Sequence, residues 1–161
     1  MIIEIYSPEI LASARKLVCL DRDNTLIRDS GYMDQNAEIE FNTALLAQLL
    51  SFDQHETSFC LVSNQSGIGR GLISVADVIN LNRRLSKDLL ERGIRLSSSI
   101  FCPHSPSENC LCRKPKPMML NIALRLHESI DASSQIMYGD KHTDEEAALS
   151  ANFIWRRAPA F

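Results

Sequence analysis

The stretch Cys19-Leu20-Asp21-Arg22-Asp23-Asn24-Thr25-Leu26 decides the reading of this chain. It follows the apolar run Leu17-Val18-Cys19-Leu20, which has the length of a buried strand. In an open α/β sheet the carboxyl end of such a strand opens onto the crevice that binds ligands. Asp21 would stand at that crevice. Asp23, two residues on in an extended segment, would face the same way. One carboxylate can attack an electrophile while the other moves protons. Taken alone, such a pair is more often a pair of solvated loop charges, so the rest of the chain must supply its partners.

Short apolar runs recur along the sequence: Leu17 to Leu20, Ser58 to Val62, Ser99 to Phe101, Gln135 to Tyr138 and Phe153 to Trp155. Amphipathic segments separate them. Thr43 to Ser51 reads as a helix. Val75 to Glu91 reads as a second, with Ser74 as N-cap and Gly93 closing it. Pro117 to Glu128 reads as a third, opened by its proline. Thr143 to Ser150 reads as a fourth, capped by Thr143. Residues 1 to 15 fit either an edge strand or a lead-in helix. Strands alternating with helices predict an α/β, Rossmann-like three-layer fold around a central parallel sheet, in a single domain spanning residues 1–161. Asp21, Ser63 and Asp140 each end a predicted strand, so they should meet on one rim.

Composition sets outer bounds. The chain has 161 residues, 45% of them hydrophobic and 6% aromatic, with a formal net charge of −3. That balance fits one globular domain and lacks the basic footprint of general nucleic-acid binding. No apolar run approaches a membrane span, and the acidic start does not read as a secretory signal. A cytoplasmic location and a monomer are expected. Cys19 and Cys60, within apolar runs, read as small buried hydrophobes. His55 and His127 read as surface residues, and Trp155 as packing at the core or its edge.

Gly139-Asp140-Lys141-His142-Thr143-Asp144 follows a predicted strand. Asp140 would join Asp21 in holding Mg²⁺, a hard cation that takes carboxylate and phosphate oxygens. Asp144 would orient Asp140 or Lys141, or else serve as an acid at a helix start. Ser63-Asn64-Gln65-Ser66-Gly67-Ile68-Gly69-Arg70-Gly71 could cradle a phosphate on backbone N–H groups, or be a glycine-rich turn. Arg113-Lys114-Pro115-Lys116-Pro117 offers a compact ammonium and a guanidinium fork to phosphates. Just before it, Cys102, His104, Cys110 and Cys112 have the ligand types of a closed, structural Zn²⁺ site. Reduced metal-free thiols, or one disulfide with a spare thiol, are the alternatives. A bound zinc would order the loop and aim Arg113 and Lys114 into the cleft.

Together, Asp21-x-Asp23-x-Thr25, Ser63, Lys114 and Gly139-Asp140-x-x-x-Asp144 resemble the haloacid dehalogenase superfamily of aspartate-nucleophile phosphatases. The resemblance runs over roughly residues 16 to 156. The cysteine–histidine loop is similar to that of the branch holding histidinol-phosphate phosphatases, heptose bisphosphate phosphatases and polynucleotide 3′-phosphatases. Asp29-Ser30-Gly31-Tyr32, Asn64-Gln65-Ser66 and Gly139-Asp140-Lys141 look most like the heptose enzymes. The resemblance implies a minimal cap and a small-molecule sugar phosphate as substrate. It implies Asp21 as nucleophile and Asp23 as acid and base, with Ser63 and Lys114 stabilising the phosphoryl group. It implies Mg²⁺ on Asp21, Asp23 (through its carbonyl) and Asp140. Asp29, Ser30, Gly31, Tyr32, Asn64, Gln65, Ser66, Arg113 and Lys141 would bind substrate, and Thr25 would buttress the Asp21 loop. Asn24, Ile27 and Met118 depart from the family pattern, Asn24 standing where glycine is usual. A non-catalytic zinc-stabilised binding module is the reading from a different class.

Overall fold

The computed structural model describes residues 1–31, 33, 36–127, 129–130 and 135–161. The strands are β1 (Ile2–Ile5), β2 (Lys16–Leu20), β3 (Thr57–Asn64), β4 (Leu96–Cys102), β5 (Gln135–Gly139) and β6 (Ile154–Arg157). The helices are α1 (Pro8–Ser13), α2 (Thr43–Leu50), α3 (Ser66–Gly69), α4 (Val75–Glu91), α5 (Met118–Arg125) and α6 (His142–Ser150). The strands form one sheet in the order β1-β4-β3-β2-β5-β6. Its five strands from β4 to β6 are parallel, and β1 closes one edge antiparallel to β4.

Side chains alternate across β2, and the alternation divides the core between the two faces. Val18 and Leu20 pack with Leu45 and Leu49 of α2 and with Leu81, Leu85 and Leu89 of α4. Leu17 and Cys19 pack with Met119, Leu120 and Ala123 of α5 and with Ala147 and Ala148 of α6. The chain winds outward from β2 through β3 to β4, then returns to β5 on the other side of β2. The strand order therefore reverses at β2, where an open α/β sheet leaves a crevice beyond its carboxyl ends. Asp21 follows β2 and Asp140 follows β5, on the two sides of that switch.

The three layers and the parallel sheet match the expectation, with differences that have local causes. Residues 1–15 supply both a strand and a helix. β1 pairs antiparallel because the connection Tyr6–Ser7 and α1 carry the chain across to β2. α4 begins after Ser74, whose side chain and backbone share a capping box with Asp77, and Gly93 follows it at φ +85°. α5 is shorter than predicted, starting after Pro117 and ending at Arg125; Glu128 lies outside the described residues. Thr143 is not the cap of α6. Lys141 holds that position, and its N–H donates to Asp144 Oδ2 at 3.0 Å. His127 is not a surface residue. It is buried, with Nδ1 2.7 Å from the Ala123 carbonyl and Nε2 2.7 Å from Ser58 Oγ. Trp155 packs against the α5–α6 core, and Cys19 and Cys60 are fully buried free thiols.

Candidate active site

Lys114 is the centre of the site. It is 3% exposed, and its Nζ lies 2.6 Å from Asp21 Oδ1 and 2.6 Å from Asp144 Oδ1. It also donates to the Val62 carbonyl at 2.7 Å. A buried ammonium is costly unless such partners surround it. Burial disfavours its charged form, but the two carboxylates outweigh burial and leave its pKa raised. The same exclusion of water acts on Asp21. Burial lifts its pKa to about 7; Lys114 opposes the rise, while Asp144 and Asp23 add to it.

Lys114 reaches β2 because its backbone is tied to β3. Its N–H donates to Asn64 Oδ1 at 3.0 Å, and Asn64 Nδ2 donates to the Lys114 carbonyl at 3.1 Å. Asn64, predicted to touch substrate, thus also anchors the lysine loop. Asp144 has a more central place than the orienting role predicted for it. Gly139 makes room for it: a Cβ there would stand 2.5 Å from Asp144 Cβ. Together Asp21, Asp140 and Asp144 bring one oxygen each within 4.8 Å of one another. Asp140 Oδ1 is buried and has no hydrogen-bond partner among the described residues. Burial raises the pKa of Asp140, as does Asp144, against the pull of Lys141. Clustered hard oxygens, one of them orphaned, fit a divalent cation of the Mg²⁺ type.

Asp23 has a different environment. Arg22 Nε donates to its Oδ1 at 2.8 Å, and Arg22 Nη2 and Gln65 Nε2 donate to its Oδ2 at 3.2 and 2.9 Å. Burial would raise its pKa, but the Arg22 charge and these hydrogen bonds, with Lys141 nearby, hold it below the usual carboxylate range. The two aspartates of the motif therefore sit in opposed electrostatic settings, Asp21 raised by burial and Asp23 lowered by Arg22.

A pocket of about 570 Å³ opens over these groups, lined among others by Asp21, Asp23, Lys114, Arg113 and Lys141. Asp29, Gly31, Asn64, Gln65 and Ser66 also reach it. Ser30 is exposed and outside the lining, and Tyr32 lies outside the described residues. Ser63 is the penultimate residue of β3. It is buried, its Oγ accepts from Gln65 Nε2 at 3.2 Å, and it does not line the pocket. Thr25 Oγ1 is buried without a partner among the described residues, so the predicted buttress through its hydroxyl is not formed. Asn24 adopts φ +60°, a left-handed conformation that asparagine tolerates better than most residues. Its Oδ1 also accepts the Asp29 N–H at 3.2 Å, so the departure from glycine adds a tie to the next loop.

Cys102, His104, Cys110 and Cys112 converge. Their sulfurs are 3.3, 3.5 and 3.7 Å apart, and His104 Nδ1 is 3.4 and 3.5 Å from two of them. Tetrahedral zinc with Zn–S near 2.3 Å has ligand–ligand edges of about 3.8 Å. The four groups thus already outline a tetrahedral cage, and all three cysteines are free. Burial pushes the Cys102 thiol up to about 12. Burial also acts on Cys110, but donation from the Arg113 backbone and the two neighbouring thiols brings it down to about 7. The loop docks on α3: Gly69 N donates to the Pro103 carbonyl at 2.8 Å, and Gln65 N to the Cys102 carbonyl at 2.8 Å.

The sequence reading missed Arg22, Met33, Ile73 and Thr143 in the pocket wall, and Asn82 behind it. Asn82 left a signal, being a polar residue on the apolar face of α4 between Val78 and Leu85.

A family model for "Polynucleotide kinase 3 phosphatase" matches residues 16–152. The chain belongs to that family. Within the polynucleotide kinase 3 phosphatase family, this chain is similar to a D-glycero-beta-D-manno-heptose-1,7-bisphosphate 7-phosphatase of Helicobacter pylori. The two are 37% identical over 142 residues, covering 88% of this chain and 81% of the relative. The enzyme of the same name from Escherichia coli is 32% identical over 149 residues, covering 88% and 78%. The crystal structure of D,D-heptose 1,7-bisphosphate phosphatase from B. bronchiseptica, complexed with magnesium and phosphate, superposes with a TM-score of 0.76. It is 30% identical and covers 87% of this chain and 78% of that one. A haloacid dehalogenase-like phosphatase from Mesorhizobium loti superposes with a TM-score of 0.81 at 26% identity, covering 94% and 75%. Among the described residues no helix is long and apolar enough to cross a membrane.

Proposed function

We propose that this chain is a Mg²⁺-dependent phosphomonoester hydrolase that works through an aspartyl-phosphate. The observation that carries the reading is the Lys114 ammonium shared between Asp21 and Asp144 at 2.6 Å each, beside the unpartnered oxygen of Asp140. Lys114 occupies Oδ1 of Asp21, which leaves Oδ2 to attack phosphorus. As the Asp21–phosphorus bond forms, the bond to the leaving oxygen breaks, and Asp23 gives that oxygen its proton. A water then attacks the same phosphorus and passes its proton to Asp23. The Asp21–phosphorus bond breaks, inorganic phosphate departs, and both aspartates return to their starting forms. Splitting one hard displacement into two is the gain of covalent catalysis.

Asp21 and Asp140, with Asp144 adjoining and the Asp23 carbonyl completing the set, would hold Mg²⁺, which when bound offsets the repulsion between an anionic nucleophile and an anionic phosphate. Lys114 places fixed positive charge where the equatorial oxygens gather charge. Ser63 supports this cradle through Gln65. Cys102, His104, Cys110 and Cys112 would hold a structural Zn²⁺ that fixes the loop leading to Arg113 and Lys114.

The substrate we infer is D-glycero-D-manno-heptose 1,7-bisphosphate, hydrolysed at its 7-phosphate. The names of the relatives support this, and so do two cations, Arg113 and Lys141, in the same pocket wall. They suit a second, non-reacting phosphate, with Asp29 and its loop beside the sugar hydroxyls. A formal net charge of −3 favours a small phosphate ester over an extended nucleic acid. We read the chain as a single domain acting as a monomer in the cytoplasm.

The test is a panel of heptose 1,7-bisphosphate, histidinol phosphate and a 3′-phosphorylated oligonucleotide, each with Mg²⁺ and with chelator. The heptose ester should give the highest kcat/KM, and chelation should abolish it. A preference for either other ester would overturn the substrate, and no turnover of any would favour a binding module.

A further inference from the structure

Arg22 is the largest fully buried side chain among the described residues, and it stands between the two aspartates of the site. A guanidinium that far from water is costly unless its donors are matched. Nε and Nη2 pair with the two oxygens of Asp23. Nη2 also donates to Gln65 Oε1 at 2.8 Å, and Nη1 to Asn82 Oδ1 at 3.3 Å. Gln65 Nε2 closes a ring by donating to Asp23 Oδ2.

Such a ring is a poor device for stability alone, because well-packed apolar residues often do as well as a buried ion pair. Its effect is orientation. Asp23 cannot turn its carboxylate without breaking two or three hydrogen bonds at once. Among the described residues Oδ2 receives two donors and Oδ1 one, so Oδ1 keeps a lone pair for the proton. The Asp23 side chain is 19% exposed while Arg22 is 2% exposed, so the ring's open side belongs to Asp23, which lines the pocket.

We propose that Arg22, backed by Gln65 and Asn82, is a positioning residue that fixes the Asp23 carboxylate so that Oδ1 exchanges the proton with the leaving group. The proposal rests on the phosphatase reading above. In the first half-reaction the leaving oxygen takes the Oδ1 proton as its bond to phosphorus breaks. A leaving group that departs as a stable anion does not need that proton. Loosening the ring must therefore slow alkyl esters far more than activated aryl esters.

The experiment compares the wild-type chain and Arg22→Lys, with Mg²⁺, in single-turnover kinetics on heptose 1,7-bisphosphate and on p-nitrophenyl phosphate. The first turnover is read because Asp23 also serves the later hydrolysis. Arg22→Lys should slow the sugar phosphate about 100-fold, the scale of general acid catalysis. The p-nitrophenolate burst should slow by less than about 3-fold on the same grounds. Equal losses on both substrates would show a merely structural role and overturn the proposal. Should Arg22→Lys fail to fold, Asn82→Ala, which frees only the far end of the guanidinium, carries the same comparison and the same two outcomes. Wild type inert on both esters would sink the phosphatase reading itself, a result distinct from an unchanged ratio.

Discussion

Replacing Lys114 by Met keeps the length of the side chain and removes its charge. The structure then leaves Asp21 and Asp144 facing each other, buried, with their shared cation gone. Breaking a buried ion pair from one side costs about 3–5 kcal/mol. A chain of 161 residues unfolds with an entropy of about 0.34 kcal/mol/K near 60 °C. The melting midpoint of Lys114→Met should therefore fall by about 9–15 °C in chelator at pH 8. The deficit must depend on pH. Without Lys114, Asp21 loses the charge that opposes the rise of its pKa, so the folded state gains on the unfolded as pH falls. Asp21 already titrates near 7 with Lys114 present, and an unfolded aspartate titrates near 3.9. The deficit should be largest above pH 7 and shrink as pH falls through the folded Asp21 value. Turnover should drop at least about 100-fold, the scale of losing one preorganised donor to the transition state. Scanning calorimetry of both proteins from pH 5 to 8 is the assay. A midpoint within about 2 °C of wild type at pH 8, well inside the shift expected from a broken buried pair, would refute the view that Lys114 neutralises the site.

Gly69→Ala puts a methyl group 2.6 Å from Ser105 N and 3.0 Å from the Pro103 carbonyl. Overpacking of that kind costs about 1–3 kcal/mol, so the midpoint should fall several degrees, and an unchanged midpoint would show that the loop does not seat on α3 as described. Elemental analysis should find about one zinc per wild-type chain and none in Cys110→Ser; a wild type free of zinc would remove the metal assignment. Burial lowers the pKa of His127 despite its bond to the Ala123 carbonyl, so its contribution to stability is present above the unfolded value near 6.5 and is lost as pH falls through the folded value. His127→Gln should therefore lose less of its melting midpoint than wild type between pH 7.5 and 5, and parallel curves for the two proteins would contradict the buried placement.

Strands β2 to β6 were legible because each is a short apolar run between turn residues, and parallel order followed from the helices between them. Asp21, Asp140 and the cysteine–histidine loop were legible because their residue types are costly without a partner or a ligand. What stayed hidden depended on contacts distant in sequence. β1 has too few residues to show its pattern, and its pairing with β4 is fixed by register alone. His127 reads as polar surface until Ser58, 69 positions away, supplies its partner. Asp144 reads as a helix-start acid because nothing local reveals that Gly139 clears the space for it beside Lys114. Arg22 sat in full view inside the motif, yet strand alternation pointed it away from the site, and only Gln65 and Asn82 explain why a cation can be buried there.

The central claim is that Asp21 becomes phosphorylated. Its most direct test is rapid acid quenching of a turnover with ³²P-labelled substrate, followed by counting the label bound to the protein. Wild type should trap an acid-stable, hydroxylamine-labile phosphoryl group, and Asp21→Asn should trap none and release no phosphate. Label on the Asp21→Asn protein, or phosphate release by it at the wild-type rate, would contradict the account.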